Sequence, residues 1–224
     1  PSRELAIQIE QVIREMGSGV KVNAVYGGRS VKKDLIELEH EPQIIVGTPG
    51  RLADHIRRDS LTISSVKTLV LDEFDKSLEV GFDKEMQEIT YALKNVSKKV
   101  LTSATEGVNV PKFVGFNKPV ILDFLDQKKN KLVVQLALTK EKDKLSGLLK
   151  LLNHLGDEPG LIFCNFKDSI QRVSQYLKDH HVDHGVFFGG IEQKERERAL
   201  IKFRNGTHRL LIATDLAARG LDIP

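Results

Sequence analysis

The chain passes from a short apolar strand directly into three carboxylates in the segment Thr68-Leu69-Val70-Leu71-Asp72-Glu73-Phe74-Asp75. Clustered negative charge at a buried strand end is costly unless a cation or hydrogen bonds neutralise it, because desolvated like charges oppose ionisation. A magnesium-nucleotide site would supply that neutralisation through one carboxylate, and the next carboxylate could orient or deprotonate an attacking water. The alternative is that Asp72 caps the following helix and the other acids are solvated.

Further apolar runs rich in β-branched residues lie on both sides of this strand, which itself covers 66–71. These runs are 20–26, 44–46, 100–102, 120–124, 132–138, 161–164, 182–187 and 210–213. Runs of this length suit strands buried on both faces, and the stretches between them space apolar residues three and four apart, as helices do. The alternation predicts an α/β fold with a mostly parallel sheet, whose ligands bind beyond the carboxyl ends of the strands.

A polar stretch, 126–131, interrupts the alternation and predicts a linker between a first domain, 1–125, and a second domain, 132–224. The charge balance changes at the same place. Residues 1–126 carry 17 Lys and Arg against 19 Asp and Glu, whereas residues 127–224 carry 17 against 12. The basic second half is compatible with a polyanionic partner.

Composition excludes several other classes of protein. Cys164 is the only cysteine, so neither an intrachain disulfide nor a cysteine zinc cluster can form. No apolar run approaches the roughly 20 residues of a membrane helix, and the first residues lack the apolar core of a secretion signal. We therefore expect a cytoplasmic protein without a membrane partner.

Six other short elements occur in order along the chain, most of them directly after a predicted strand. They are Pro1-Ser2-Arg3-Glu4-Leu5-Ala6, Gly27-Gly28, Thr48-Pro49-Gly50-Arg51, Ser103-Ala104-Thr105, Gln193-Lys194-Glu195-Arg196 and Ala213-Thr214-Asp215-Leu216-Ala217-Ala218-Arg219-Gly220-Leu221-Asp222. Together with the acidic segment they resemble, in order and spacing, the DEAD-box family of ATP-dependent RNA helicases. The resemblance covers essentially the whole chain and implies two RecA-like domains with mostly parallel sheets, both incomplete.

For the acidic segment, the resemblance implies a role in ATP hydrolysis. Asp72 would hold Mg²⁺ through water and Glu73 would position the attacking water. Asp75 would bond to Ser103 or Thr105 and so link hydrolysis to movement between the domains.

The resemblance also implies contacts to ATP and to RNA on the second domain. Gly220 and Asp222 would approach the ATP ribose, although Asp222 could instead cap a local turn. The RNA contacts would come from Asn165, Phe166, Gln193, Arg196 and Thr214. Arg196 could alternatively be a solvated helix residue, and Phe163 and Phe187, which lie within strand runs, are expected in the core.

On the first domain, a different group of residues suits the backbone of single-stranded or short-duplex RNA. Such a backbone needs cations, small hydroxyls and exposed amides, and binding through it is independent of base sequence. The candidates are Ser2, Arg3, Gly27, Gly28, Thr48, Gly50 and Arg51. The alternative is that the glycine and proline-glycine pairs are ordinary turns.

Three departures from the family pattern affect these expectations. Phe74 stands where the family name specifies alanine, and overpacking a core typically costs about 1 to 3 kcal/mol. The chain also contains no Gly-Lys dipeptide, so we expect a fragment without the phosphate-binding loop. It would also lack the final arginine motif, and an arginine finger is worth about 10³ to 10⁵ in rate. The fragment alone would then be an incompetent ATPase.

The leading hypothesis is an ATP-dependent RNA helicase that acts as a monomer, with ATP and Mg²⁺ as cofactors and protein cofactors as further partners. It would bind ATP between its domains, close on RNA and strip a short duplex. The alternative is a non-catalytic RNA-binding or scaffold protein with a degenerate motor. A DNA helicase of the same superfamily is disfavoured, because the Thr-Pro-Gly-Arg and Ala-Arg-Gly elements match the RNA branch more closely.

Overall fold

The computed structural model describes residues 1–105, 109–116, 118–124, 133–140 and 142–214. The chain divides into two compact units, Pro1–Asn130 and Lys131–Pro224. Both units alternate helices with parallel strands, so the α/β class expected from the sequence is correct. The predicted linker at 126–131 lies outside the described residues and stays a prediction.

The first unit contains two pairs of parallel strands. β1 pairs with β2, and β3 pairs with β4 in a register that places Leu71 beside Leu101. The elements in chain order are α1 (Arg3–Glu15), β1 (Val22–Val25), α2 (Val31–Leu38), β2 (Ile44–Gly47), α3 (Pro49–Arg57), β3 (Thr68–Leu71), α4 (Phe74–Glu79), α5 (Asp83–Ala92), β4 (Lys98–Leu101) and a 3₁₀ turn (Lys112–Val114).

The second unit contains a three-stranded parallel sheet with the order β5-β7-β6. Its elements are α6 (Leu145–Leu155), β5 (Gly160–Phe163), α7 (Lys167–Asp179), β6 (His184–Phe187), α8 (Gln193–Arg204) and β7 (Leu210–Ala213). The central strand β7 is buried along its whole length. Its alternate residues enter two separate core clusters, one with Leu210 and Ile212 and the other with Leu211 and Ala213. Both faces of the sheet are therefore covered at β7, as the continuous apolar run predicted.

Two of the predicted strands are wrong. Residues 120–124 and 133–138 form no regular strand, and Val120, Ile121, Leu136 and Leu138 are 82 to 86% exposed. Their apolar, β-branched composition favours a strand, but a strand also needs a neighbour to accept and donate its backbone hydrogen bonds. No strand in the described part of the chain pairs with either segment.

Local capping explains where two helices of the first unit begin. Ser2 has an extended backbone, and its hydroxyl accepts from the amide of Leu5 at 3.1 Å, which satisfies one free donor of α1. α3 begins at Pro49, whose fixed φ suits the first turn of a helix. Among the described helices, none has both the length and the apolar character to cross a membrane.

Candidate active site

The acidic segment lies where the parallel strands β3 and β4 end side by side. The backbone amide of Thr102 donates to the carbonyl of Leu71, and the amide of Phe74 donates to the carbonyl of Thr102, both at 3.1 Å. Continuing the strand register by one residue brings Asp72 next to Thr102. The fold therefore presents carboxylates from one loop to hydroxyls from the other.

Asp72 is held by two hydrogen bonds to the same carboxylate oxygen. The Thr102 hydroxyl donates to Oδ1 in a short bond, and the amide of Glu73 donates to Oδ1 at 3.0 Å. Oδ2 takes part in neither bond. Thr102 was missed from the sequence, although its place directly after the strand paired with β3 could have identified it.

Glu73 occupies an unusual position between strand and helix. Its φ of 45° lies in the left-handed region, which non-glycine residues seldom adopt and which often occurs at functional sites. Its Oε2 atom is buried and has no hydrogen-bond partner among the described residues. Burial raises the pKa of Glu73, and the negative charges of Asp72 and Asp75 raise it further. This carboxylate is chemically poised to accept a proton.

Asp75 is tied to the segment that follows β4. The carboxylate is 6% exposed, and the Thr105 hydroxyl donates to its Oδ2 at 2.7 Å. Burial alone would raise the pKa of Asp75, but hydrogen bonds from the Thr105 and Ser103 hydroxyls, with the nearby Lys76, lower it overall. The structure thus joins Asp75 directly to Thr105, and the Ser103 hydroxyl donates to the carbonyl of Thr105 at 3.3 Å.

The alternative reading of the acids as a helix cap with solvated neighbours does not fit these contacts. No side chain caps the first turn of α4, because Asp72 accepts instead from Thr102 and from the adjacent amide. Asp75 is buried, not solvated.

Phe74 points away from the carboxylates and into the core of the first unit. It is 1% exposed and packs with Met86 and Val114, against partly buried residues that include Phe82 and Phe113. A large side chain at this position is therefore accommodated while Asp72 and Asp75 keep their hydroxyl partners.

The acid cluster fits a magnesium-nucleotide site in which water molecules supply several of the metal ligands. Within the described residues, no three His, Cys, Asp or Glu side chains are arranged to enclose a metal ion. Mg²⁺ commonly binds through one or two carboxylates, with waters and phosphate oxygens completing its coordination. Asp72 has the right donor type and a second oxygen outside its two bonds.

The candidate RNA residues near the start of the first unit lie together. The Arg3 guanidinium lies against the Gly27-Gly28 turn, so a Cβ added to Gly28 would be 2.5 Å from Arg3 Nη1. Gly28 also has a φ of +89°, which disfavours any other residue. The turn interpretation of this pair is correct as local structure, and the same turn seats the arginine. Ser2 uses its hydroxyl to cap α1.

Thr48, Gly50 and Arg51 meet at the start of α3 but differ in exposure. Thr48 is 8% exposed, and a Cβ added to Gly50 would meet nothing within 4 Å. The side chain of Arg51 is 10% exposed and turns inward: Nε donates to the carbonyl of Tyr26 at 3.0 Å, and Nη2 donates to the carbonyl of Arg29. The space beside the Gly50 backbone is open, whereas the Arg51 guanidinium already donates hydrogen bonds to backbone carbonyls of the same unit.

The candidate residues of the second unit gather at the carboxyl edge of its sheet. Phe163 and Phe187 are both aligned with Ala213, so Asn165, which follows β5, and Thr214, which follows β7, lie at the same edge. Phe166 is 71% exposed and precedes α7, and Gln193 is the first residue of α8.

Arg196 is not the solvated helix residue of the alternative interpretation. It is 9% exposed, and its guanidinium carbon lies 4.7 Å from the centre of the Phe187 ring. Phe187 is fully buried as expected, but Phe163 is 58% exposed, so the expectation that it lies in the core is wrong. Gly220 and Asp222 lie outside the described residues.

Comparison with known families matches both units. The profile described as DEAD/DEAH box helicase matches residues 1–113, and the profile described as Helicase conserved C-terminal domain matches residues 143–224.

Individual relatives match over the whole chain. It is 36% identical both to the ATP-dependent RNA helicase FAL1 of Mycosarcoma maydis and to Eukaryotic initiation factor 4A-3 of Nicotiana plumbaginifolia, and it covers 58% and 59% of their lengths. The structure of S. cerevisiae Dbp5 bound to RNA and ADP BeF3 superposes with a TM-score of 0.82 at 26% identity. The chain covers 58% of the Dbp5 chain. The chain therefore spans less than two thirds of the curated relatives that it matches.

Proposed function

The chain belongs to the DEAD-box family of ATP-dependent RNA helicases, and from this premise we propose that the whole protein couples ATP hydrolysis to local unwinding of RNA. ATP would bind between the two RecA-like domains and close them on RNA, and hydrolysis would release the clamp. Gly220 and Asp222 keep their proposed place at the ATP ribose. Action as a cytoplasmic monomer, assisted by protein cofactors, remains part of this proposal.

The proposal rests on two features of Glu73, its buried Oε2 atom without a hydrogen-bond partner among the described residues and its left-handed backbone. A buried carboxylate oxygen without a hydrogen-bond partner costs free energy, and the residue also holds a left-handed backbone. Both costs are understandable if Oε2 is reserved for a water that attacks the terminal phosphate. The pKa of Glu73, raised chiefly by burial, suits a group that accepts a proton.

Asp72 and Asp75 would have separate tasks beside Glu73. Asp72 would hold Mg²⁺ through water, with the Thr102 hydroxyl and the Glu73 amide fixing the carboxylate. When bound, Mg²⁺ would neutralise charge on the transferring phosphate. Asp75 would transmit a change at the acids to Ser103 and Thr105, because its hydrogen bond to Thr105 spans the two loops.

Two groups of candidate residues would contact the RNA backbone. On the first unit, the Gly27-Gly28 turn with Arg3 and the open amide end of α3 at Thr48 and Gly50 provide small, donor-rich surfaces. On the second unit, the contacts would come from residues at the carboxyl edge of the sheet, namely Asn165, Phe166, Gln193, Arg196 and Thr214. Arg51 would contribute by shaping the first surface, since its guanidinium is bonded inward.

The competing proposal of a non-catalytic scaffold loses one of its supports. Phe74 was one sign of a degenerate motor, but the side chain lies in the core. The carboxylates on either side retain their hydroxyl partners.

Glu73→Gln in the whole protein tests the catalytic proposal. We expect RNA-stimulated ATP hydrolysis to fall by about 10² to 10⁴, the usual contribution of a positioned proton acceptor. The thermal unfolding midpoint should not fall, because the change replaces a carboxyl group, whose pKa is raised by burial, with a neutral amide of similar shape. Measurements of turnover at saturating RNA, with thermal unfolding alongside, check both expectations.

Glu79→Gln is the matched control, because Glu79 is an exposed acid on the same short helix and pairs with Lys76 at 2.8 Å. It should hydrolyse ATP at the wild-type rate. Unchanged turnover in Glu73→Gln would show that Glu73 is not the catalytic carboxylate.

A further inference from the structure

The first unit contains a buried cluster of charged side chains, of which Arg51 alone was a candidate residue from the sequence. Its centre is Asp34 on α2, a carboxylate with 0% exposure. Arg29 Nε lies 2.7 Å from Oδ1, and on Oδ2 lie Arg51 Nε at 3.3 Å and His55 Nε2 at 3.1 Å. These three partners are themselves 0 to 15% exposed. We call these four residues the Asp34 cluster.

Each partner of Asp34 is anchored a second time. Arg29 reaches Glu37 at 2.6 Å, and its guanidinium lies 5.4 Å from the centre of the Tyr26 ring. His55 Nδ1 lies 2.7 Å from the hydroxyl of Ser60. Arg51 donates to the carbonyls of Tyr26 and Arg29. The cluster therefore links the turn after β1, helix α2, helix α3 and Ser60, which lies three residues beyond the end of α3.

The position of the two Arg51 acceptors is informative. Tyr26 and Arg29 immediately flank Gly27 and Gly28, so Arg51 holds both ends of the glycine turn. The same arginine belongs to the first turn of α3, where its amide donates to the carbonyl of Thr48 at 3.0 Å. One side chain thus sets the distance between the glycine turn and the start of α3. Asp34 in turn fixes that side chain.

Charge balance makes the residues of the Asp34 cluster depend on one another. The guanidinium groups of Arg29 and Arg51 face the carboxylates of Asp34 and Glu37. A buried charge requires a partner, because burial removes its water. If the Asp34 charge were lost, both arginines would lose a buried counter-ion, and the turn would lose its support.

We propose that Asp34 is a positioning residue that preforms the RNA-binding surface of the first unit, the Gly27-Gly28 turn together with the start of α3. This inference rests on the proposed RNA-binding function. Asp34 does not touch RNA. It keeps the Arg51 guanidinium on the protein backbone, so that neutral amides and hydroxyls are presented to phosphate at a fixed spacing.

The test is RNA binding by Asp34→Asn in the whole protein loaded with a non-hydrolysable ATP analogue. Fluorescence anisotropy with a labelled oligouridylate gives the affinity over a series of salt concentrations, at a temperature where thermal unfolding shows each variant to be folded. We expect binding about tenfold weaker, the effect of misplacing one or two phosphate hydrogen bonds. The log-log salt slope should be unchanged, because no phosphate-neutralising cation is removed.

A simple charge effect predicts the opposite sign. Asp34→Asn removes a negative charge, which alone would tighten binding to a polyanion. Asp54→Asn is the matched control, because Asp54 lies on α3 and its ion-pair partner among the described residues is Arg58, in a partly exposed bridge at 2.9 Å. It should bind RNA as well as the wild type or slightly more tightly.

The outcomes separate this inference from the proposed function. If the wild type binds RNA and folded Asp34→Asn binds equally well or more tightly, Asp34 has no positioning role and the helicase proposal stands. If the wild type fails to bind RNA at any salt concentration, the proposed function fails first. Should Asp34→Asn not fold, Glu37→Gln decides, since Glu37 is 32% exposed and holds only the outer end of Arg29. About threefold weaker binding supports the inference, and unchanged binding overturns it.

Discussion

The hydroxyl of Thr105 and the carboxylate of Asp75 form a hydrogen bond across 30 residues of sequence. The bond lowers the pKa of Asp75 from its ordinary value of 3.8 against the opposing effect of burial. A carboxyl whose pKa is lower in the folded chain than in the unfolded chain stabilises the fold while it is ionised. That stabilisation is complete above the ordinary pKa and is lost as the pH falls through the lower, folded value.

Thr105→Val should therefore raise the pKa of Asp75 and lower the free energy of unfolding at neutral pH by about 1 kcal/mol, a typical value for one hydrogen bond. The difference from the wild type should shrink as the pH falls below the ordinary value of 3.8. NMR titration of the Asp75 carboxyl and denaturant unfolding at several pH values check this.

Thr62→Val is the control for the loss of a hydroxyl, because Thr62 is exposed and its side chain makes no hydrogen bond among the described contacts. It should leave both quantities unchanged. An Asp75 pKa unaffected by Thr105→Val would mean that the hydrogen bond does not set the charge state.

Single site residues could be predicted from the sequence where charged residues interrupt an apolar pattern. Asp72, Glu73 and Asp75 could be identified because three acids follow an apolar strand. Asp34 and His55 could not be selected in the same way. Both side chains are buried, and the contact between them spans 21 residues of sequence, which a pattern read along the chain does not contain.

Among the structural elements, α3 combines an inward side and an open start. Arg51 and His55 face the Asp34 cluster, whereas Gly50 in the first turn has free space around its Cα. Glycine in a helix is destabilising by roughly 0.5 to 1 kcal/mol relative to alanine. Its presence here is explained if a phosphate approaches the backbone closely.

Gly50→Ala should separate stability from RNA binding. The free energy of unfolding should stay the same or rise by up to about 1 kcal/mol, because the added methyl group meets nothing within 4 Å. RNA affinity should fall about three- to tenfold, since the methyl group would occupy the space of the phosphate. Denaturant unfolding and fluorescence anisotropy measure the two effects.

Gly147→Ala provides the matched helix substitution, in α6 of the second unit, where the added Cβ would lie at an ordinary 3.5 Å from Thr139. It should leave RNA affinity unchanged. Equal affinity of Gly50→Ala and the wild type would remove Gly50 from the proposed interface.

Strands were predicted correctly from apolar runs where a neighbouring strand is available to pair with them. The run at 210–213 became the central strand β7, since β5 and β6 pair with it on both sides. The runs at 120–124 and 132–138 have the same composition, but in the described residues no strand pairs with them. Local preference is visible in a sequence, whereas the availability of a hydrogen-bonding edge depends on the remainder of the fold.

In the described part of the molecule, each cluster of buried apolar residues consists of residues from one unit. Phe74, Met86 and Val114 form a core of the first unit, whereas Leu152, Ile170 and Leu177 contribute to a core of the second. A substitution in one core should therefore act mainly on the unfolding of its own unit.

Phe74→Ala should lower the stability of the first unit by about 3 to 5 kcal/mol, because a fully buried aromatic ring is replaced by a cavity. Differential scanning calorimetry should show two transitions, with only one shifted. Leu177→Ala is the reciprocal variant and should shift the other transition, by about 2 to 5 kcal/mol in stability. A single transition that both variants shift equally would contradict independent cores.

The inward direction of Phe74 also bears on how relatives are found. Because the third place of the acidic segment faces Met86 and Val114, its identity should follow the volume available there and vary together with those two positions. A search pattern that demands alanine at this place would overlook such chains. A pattern that asks for acids at 72, 73 and 75 and hydroxyls at 102 and 105, and leaves place 74 open, would retain them.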